Sequence, residues 1–264
     1  MTPAARERFR TVVYGLVILA LVLGAWQALA GLGGKGKADG LPGPAAVGRT
    51  AVEMLSDPFY DRGPNDKGFG IQLGWSLGRM LTGYLAASVV AILVGVVLGS
   101  SPTLFRAANP FIQVLKPISP LAWMPLFLYT IKNSGQAAIL VIFVSSLWPT
   151  MANTAFGVAS IRKDYVNVAR LLQLSWPRRF VLVMLPAAAP NILAGLRISM
   201  GSAWVAIVAA EMLIGGTGVG YFVWNEWNNL ALTSVIFAIL AIGLVGVLLD
   251  LGLGRVAKLV AYSE

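Results

Sequence analysis

An all-α integral membrane protein with six transmembrane helices is the fold class that the sequence predicts, and three observations predict it. Of the 264 residues, 57% are hydrophobic and only 12% charged, against about a quarter charged in soluble domains. The apolar residues gather into runs of the length a bilayer demands, about 20 residues at about 1.5 Å rise each. The cations stand mostly at the ends of those runs and between them, as they do in the loops of multi-pass proteins. A single transmembrane domain, residues 1–264, accounts for the chain.

Composition also excludes. The chain has no cysteine and no histidine, so it has no disulfide, no thiolate or imidazole metal ligand and no histidine base. A membrane enzyme would need a concentrated nucleophile, metal or acid–base set, and none is visible, so no catalytic or metal-binding residue is assigned. The net charge of +9 is spread along loop edges instead of forming one patch, which argues against nucleic acid.

Span one, 12–30, follows Arg6, Arg8 and Arg10. A signal peptide begins in the same way and Ala28-Leu29-Ala30 resembles a cleavage site, but the apolar run exceeds the usual h-region of about 7–15 residues. Residues 31–79 read as an outer loop, rich in Gly and Pro, with a short helix around Ala45 to Leu55. Phe59, Tyr60, Phe69 and Trp75 suit an interface belt.

Span two, 80–98, carries Gly95 and Gly99 four apart, which allows close helix packing. Span three, 111–131, contains Pro117, Pro120 and Pro125. Prolines free backbone carbonyls that lipid cannot satisfy, so this segment should be buried or line a cavity. Lys116, Ser119, Pro120 and Trp123 are therefore candidates for a transport pathway. Span four, 137–157, is expected to be interrupted near Trp148-Pro149.

Residues 158–186 form the cytoplasmic loop, since Arg162, Lys163, Arg170, Arg178 and Arg179 lie too close together for a membrane span. Tyr165, Val168, Leu171 and Leu172 recur at helical spacing behind Asp164 as N-cap, and Trp176-Pro177 should stop the helix. Two readings stay open: a helix lying on anionic headgroups, and a docking helix filling a partner's groove.

Span five, 187–210, holds Arg197, which either attracts an anion or pairs with a carboxylate. Glu211 to Gly220 follows as a loop with Gly215, Gly216, Gly218 and Gly220, and is expected to act as an outer gate or binding-protein contact. It lacks the Gly-Lys-Ser/Thr ending of a phosphate loop. Glu211 would repel an anion, so it is expected to bind a cation or backbone amides. Span six is 232–253. Assigning eleven cations inside, seven outside and two within spans accounts for all twenty and places both termini in the cytoplasm.

The central loop resembles the signature of ABC-transporter permeases, Glu-Ala-Ala, three residues, Gly, nine residues, Ile, one residue, Leu-Pro. Here the positions are filled by Asn167-Val168-Ala169, Gln173, Val183 and Leu185-Pro186. Leu41-Pro42-Gly43-Pro44, Ser76-Leu77-Gly78-Arg79, Pro117 to Pro125, Gly195-Leu196-Arg197 and Ala209 to Leu213 resemble the nitrate, bicarbonate, sulfonate and taurine branch. Phe59-Tyr60, Asn65-Asp66-Lys67-Gly68 and Asp164 to Ala169 look like its nitrate-type and bicarbonate-type members.

The resemblance implies a type I importer fold in a bacterial inner membrane. It implies a second permease copy, two cytoplasmic ATPase subunits carrying ATP and Mg, and an extracytoplasmic solute-binding protein. It implies ATPase coupling through Asp164, Tyr165, Asn167, Val168, Ala169, Leu171, Leu172, Gln173, Leu185 and Pro186. No Walker A sequence occurs, so no cofactor is expected in this chain. The expected cargo is a small inorganic oxyanion, nitrate first, with nitrite, bicarbonate or cyanate as variants. The alternatives are a sulfonate or taurine permease and, in another class, an ion-coupled secondary transporter, which usually shows internal repeats and intramembrane acids.

Overall fold

The computed structural model describes residues 3–32, 40–63 and 66–260. Lys35, Lys37 and Asn65, and the side chains of Arg8, Lys163, Val166, Val168, Arg170, Trp176 and Lys258, lie outside the described residues. Among the described residues there is no strand, only one isolated antiparallel bridge between Asp61 and Lys67.

Helix α1 (Pro3–Leu32) opens the chain and α2 (Pro44–Ser56) follows, with proline in its first turn, where the missing N–H costs nothing. The tie between them is Trp26 Nε1 donating to Pro42 O at 3.0 Å. The Trp26 ring also packs against the cluster around Val47 and Phe69, while most of the apolar stretch of α1 is exposed. Helix α3 runs from Phe69 to Ser100, so it begins well before the expected 80, and the outer segment ends at Gly68 instead of 79. Phe69 is not an interface residue either: it is buried edge-on against Phe222 and Phe237. Phe59 and Trp75 are exposed.

The third span is broken. Helix α4 (Pro102–Leu115) and the segment Pro120–Ile131 meet at 82°. That segment consists of a 3-10 turn at Pro120–Trp123 and α5 (Met124–Ile131). Prolines at 117 and 120 cannot continue a helical ladder, which accounts for the bend. Helix α6 (Ser134–Ala159) instead runs unbroken through Pro149, contrary to the interruption expected there. Asn153 Nδ2 donates to the Pro149 carbonyl at 2.8 Å one turn on.

After α6 come α7 (Lys163–Leu171), α8 (Trp176–Arg179) and a π turn at Phe180–Met184. Helix α9 (Leu185–Ile214), α10 (Val219–Asn228) and α11 (Leu232–Val260) complete the chain. Among the described residues five segments are long and apolar enough to cross a membrane, and the bent pair makes a sixth when taken as one span.

Helices α3, α6 and α9 form the centre, and glycine lets them approach. A Cβ on Gly95 would stand 2.7 Å from that of Thr154, and one on Gly157 would stand 2.7 Å from that of Asn191. Gly99 abuts Ala155 and Val158, so the Gly95 and Gly99 pair is a packing surface between α3 and α6. Polar atoms bridge the same faces. Thr150 and Ser199 hydroxyls lie 2.7 Å apart, and Tyr84 donates to Leu196 O at 3.1 Å. Met80, Ile142, Trp204 and Ile207 fill the space between.

Candidate functional site

Helix α9 joins two sites. At about 1.5 Å per residue its 30 residues span about 45 Å, enough to cross a bilayer, with α7 leading into one end and Glu211 standing near the other.

At the first end, apolar side chains on one face of α7 and just beyond it lack cover. Leu171 is 83% exposed, Leu172 66% and Tyr165 45%. Ala169 points the other way and is buried. Asp164 is not the N-cap: it lies inside the first turn, 3.2 Å from exposed Arg162. Asn167 is exposed. Gln173 adopts φ 48, and the Leu174 N–H donates to Ala169 O at 3.1 Å. That is a Schellman cap, whose left-handed residue is commonly glycine, and Gln173 holds the position of the signature's Gly. Trp176-Pro177 does not merely end the helix, since the proline sits in the first turn of α8. Leu185 and Pro186 belong to the start of α9, not to a loop. Any force on α7 therefore enters α9 through a tight turn at residues 172–175 and then continuous helix from Trp176.

At the far end, Glu211 is still helical, so the expected loop from 211 shrinks to residues 215–218, and Gly220 is already in α10. The Glu211 side chain has no exposed surface. Its Oε1 accepts from Arg79 at 2.9 Å, and its Oε2 accepts from Ser76 Oγ at 2.7 Å and from the Gly220 N–H at 3.1 Å. Gln72 accepts from the Gly218 N–H at 2.6 Å, and Ser76 Oγ accepts from the Val219 N–H at 2.8 Å. Arg79 also donates to the Thr217 carbonyl and lies over the Trp75 ring at 5.4 Å.

The first amides of α10 are thus capped by side chains of α3 and α9, with a carboxylate at the positive end of the helix. Gly215 and Gly216 take φ 70 and 91, and Gly218 takes φ 148. A Cβ at Gly218 would strike the Glu211 carboxylate, and one at Gly220 would strike the Val208 carbonyl. The pairing expected of Glu211 is present. Ser76 and Arg79 were missed as its partners, although both stood in a stretch noted for its resemblance, and Gln72, which holds the Gly218 N–H beside them, was missed as well.

The other pathway candidates are scattered. Arg197 makes a two-pronged pair with Asp250 of α11, both bonds at 2.5 Å. Lys116 ends α4, exposed, and helps line a cavity of about 430 Å³ with Arg106, Asn109, Gln113, Trp148 and Met151. Ser119 and Pro120 line a separate cavity of about 470 Å³ with Ser145, Gly201 and Ser202. Trp123 stacks on Phe127, and its buried Nε1 has no partner among the described residues. These side chains do not converge on one point within a single chain.

The chain is 41% identical over 253 residues to the nitrate import permease protein NrtB of Synechocystis sp., covering 96% of this chain and 90% of that protein. It is 42% identical over 212 residues to the bicarbonate transport system permease protein CmpB of the same organism, covering 80% and 76%. To the putative aliphatic sulfonates transport permease protein SsuC of Bacillus subtilis it is 31% identical, covering 89% and 82%. Its fold matches an inward-facing MetNI methionine ABC transporter chain with a TM-score of 0.63 at 17% identity, over 72% of this chain and 95% of that one. Residues 72–262, which hold α9 and both of its end sites, match the family described as binding-protein-dependent transport system inner membrane component, and with relatives of this identity the chain belongs to that family of ABC-importer permeases.

Proposed function

We propose that this chain is the membrane permease of an ATP-driven importer for a small inorganic oxyanion, with nitrate as the first cargo and bicarbonate as the second. The observation that carries it is the identity of 41–43% to nitrate import permeases along nearly the whole chain. The sulfonate relative stands at 31%, which supports the smaller anion over a sulfonate or taurine.

In this reading two copies pair around a shared pathway, as closed symmetric assembly favours, and both termini lie in the cytoplasm. Two ATPase subunits grip α7 through Tyr165, Leu171 and Leu172, and ATP and Mg reside in those subunits. A shift of α7 passes along α9 to Glu211, where it pulls on α10 and on residues 215–218. These residues form the outer gate. Lys116, which has no ion partner among the described residues, draws the anion, whereas Arg197 is held by Asp250.

The test is reconstitution of the permease with its co-encoded ATPase and solute-binding protein in liposomes. Uptake of labelled nitrate that requires ATP and binding protein is the expected result. Uptake of bicarbonate without nitrate would overturn the choice of cargo, and uptake driven by an ion gradient without ATP would overturn the importer.

A further inference from the structure

One polar cavity belongs to none of the sites above. It encloses about 270 Å³ between the segment around Tyr60 to Lys67 and α10, with Tyr60, Asp66, Gln72, Tyr221, Asn225 and Glu226 in its wall. Its charge is negative in a chain of net +9. Lys67 also lines it, but that ammonium is turned to Asp61 at 2.5 Å, and Arg62 lies over the Tyr60 ring at 4.8 Å. Glu226 is half-buried and has no hydrogen bond or ion pair on its carboxylate among the described residues. It stands in the last turn of α10, where the unpaired carbonyls of the helix end add negative potential. Burial, and next the Asp66 carboxylate, push the Tyr60 phenol up, so it stays a neutral donor beside the acids.

The cavity suits an organic cation better than a metal ion. Among the described residues no three acidic, histidine or cysteine side chains gather to hold a metal. Aromatic walls from Tyr60 and Tyr221 instead match the apolar stem of a lysine or arginine whose head seeks a carboxylate. The cavity also lies on the same end of the molecule as the Glu211 cluster and shares a residue with it, since Gln72 both lines the wall and accepts from the Gly218 N–H.

We propose that this cavity is the socket in which the transporter's solute-binding protein seats one lysine or arginine side chain, with Glu226 as its counter-ion and Asp66 at the rim. The proposal rests on the importer reading above, from which the partner comes. Docking there presses on α10 and Gln72, and through the Gly218 amide and Glu211 it bears on the end of α9. The device thus ties arrival of the loaded binding protein to the helix that leads to α7.

The experiment titrates the anion-loaded, co-encoded solute-binding protein onto the intact permease–ATPase complex in lipid nanodiscs, at low and at physiological salt. Glu226→Gln and Glu226→Lys are compared with the parent and with Glu53→Gln, an exposed carboxylate on α2. Thermal melting checks that each variant is folded, and the near-isosteric Glu226→Gln keeps the test open if the lysine variant fails. The expected result is affinity lowered more than threefold by Glu226→Gln and further by Glu226→Lys, with unchanged affinity in Glu53→Gln and a weaker salt dependence in both Glu226 variants. An affinity within threefold of the parent in Glu226→Gln, equal loss in Glu53→Gln, or no docking by the parent complex overturns the socket. A parent complex that docks its binding protein normally in nanodiscs yet imports no oxyanion in the liposome assay overturns the cargo assignment and leaves the socket standing.

Discussion

Glu211 and Arg79, which lie 132 residues apart in the chain, meet at 2.9 Å with the Glu211 side chain wholly buried and the Arg79 side chain 17% exposed. A buried pair of this kind is weak evidence for stability in itself, because desolvation offsets much of the attraction. Its meaning lies in what else the two groups hold. Glu211 caps α10 through the Gly220 amide, and Arg79 grips the Thr217 carbonyl, so the pair fixes the segment between α9 and α10 to α3.

Removing one partner leaves the other buried and unpaired. Glu211→Ala is expected to cost about 3–5 kcal/mol, read as a lowered melting temperature of the detergent-solubilised complex. Arg79→Ala should fall in the same direction, and the two should not add. A double-mutant cycle is expected to show about 1–3 kcal/mol of coupling, and additivity within about 0.5 kcal/mol would show that the pair does not act as a unit.

The glycines of this segment are not equivalent, and their substitutions should separate. At Gly218 a Cβ meets the Glu211 carboxylate, whereas at Gly216 it meets open space and the strain is that of φ 91 alone. Gly218→Ala should therefore abolish oxyanion uptake and the stimulation of ATPase by binding protein. Gly216→Ala should cost about 1 kcal/mol of backbone strain and retain much of the uptake. Equal uptake by both variants and the parent would make the segment a passive connection.

Much of the fold was legible because apolar runs announce spans; the prolines of the third span marked backbone carbonyls that lipid cannot satisfy, but not the 82° bend between Leu115 and Pro120. The start of α3 was not legible either. Gln72, Ser76 and Arg79 are polar residues that read as loop, and inside the helix their side chains are satisfied by α10 and Glu211, far along the chain. Pro149 and Pro177 misled for a related reason: proline marks a break, a helix start or a tolerated kink, and the choice belongs to the packing around it. At Gln173 the left-handed backbone was signalled only by the glycine of the signature it aligns with, since the residue itself is not the usual one for that conformation.

On α7 the two faces predict opposite sensitivities. Leu171 is exposed and available to a partner, so Leu171→Asp should weaken ATPase association by about 2 kcal/mol or more, the size of an interface hot spot, while membrane insertion persists. Ala169 is buried against the chain's own helices, so Ala169→Phe should act through overpacking, at about 1–3 kcal/mol, and lower stability as well as association. Co-purification of the ATPase with each variant, beside its melting temperature, distinguishes them. Undiminished association in Leu171→Asp would leave α7 as a helix resting on lipid headgroups.

The two cations read from the sequence as lying within spans should now part company. Arg197 is fastened to Asp250 through Nε and Nη2 and both carboxylate oxygens, which ties α9 to α11. Exposure of about half of each side chain limits the pair to a modest role in water, but lipid around these helices screens it less. Arg197→Gln and Asp250→Asn are therefore expected to lower the melting temperature alike, and Arg197→Gln combined with Asp250→Asn to lower it little further. Lys116 ends α4 beside a cavity with Arg106 and has no carboxylate to hold it among the described residues. Lys116→Gln should leave the melting temperature unchanged and lower oxyanion uptake, with a larger loss at low anion concentration, because an attracting charge raises the local concentration of its ligand. Uptake equal to the parent across the whole concentration range would remove Lys116 from the pathway. Loss of uptake in Arg197→Gln without loss of stability would return Arg197 to it.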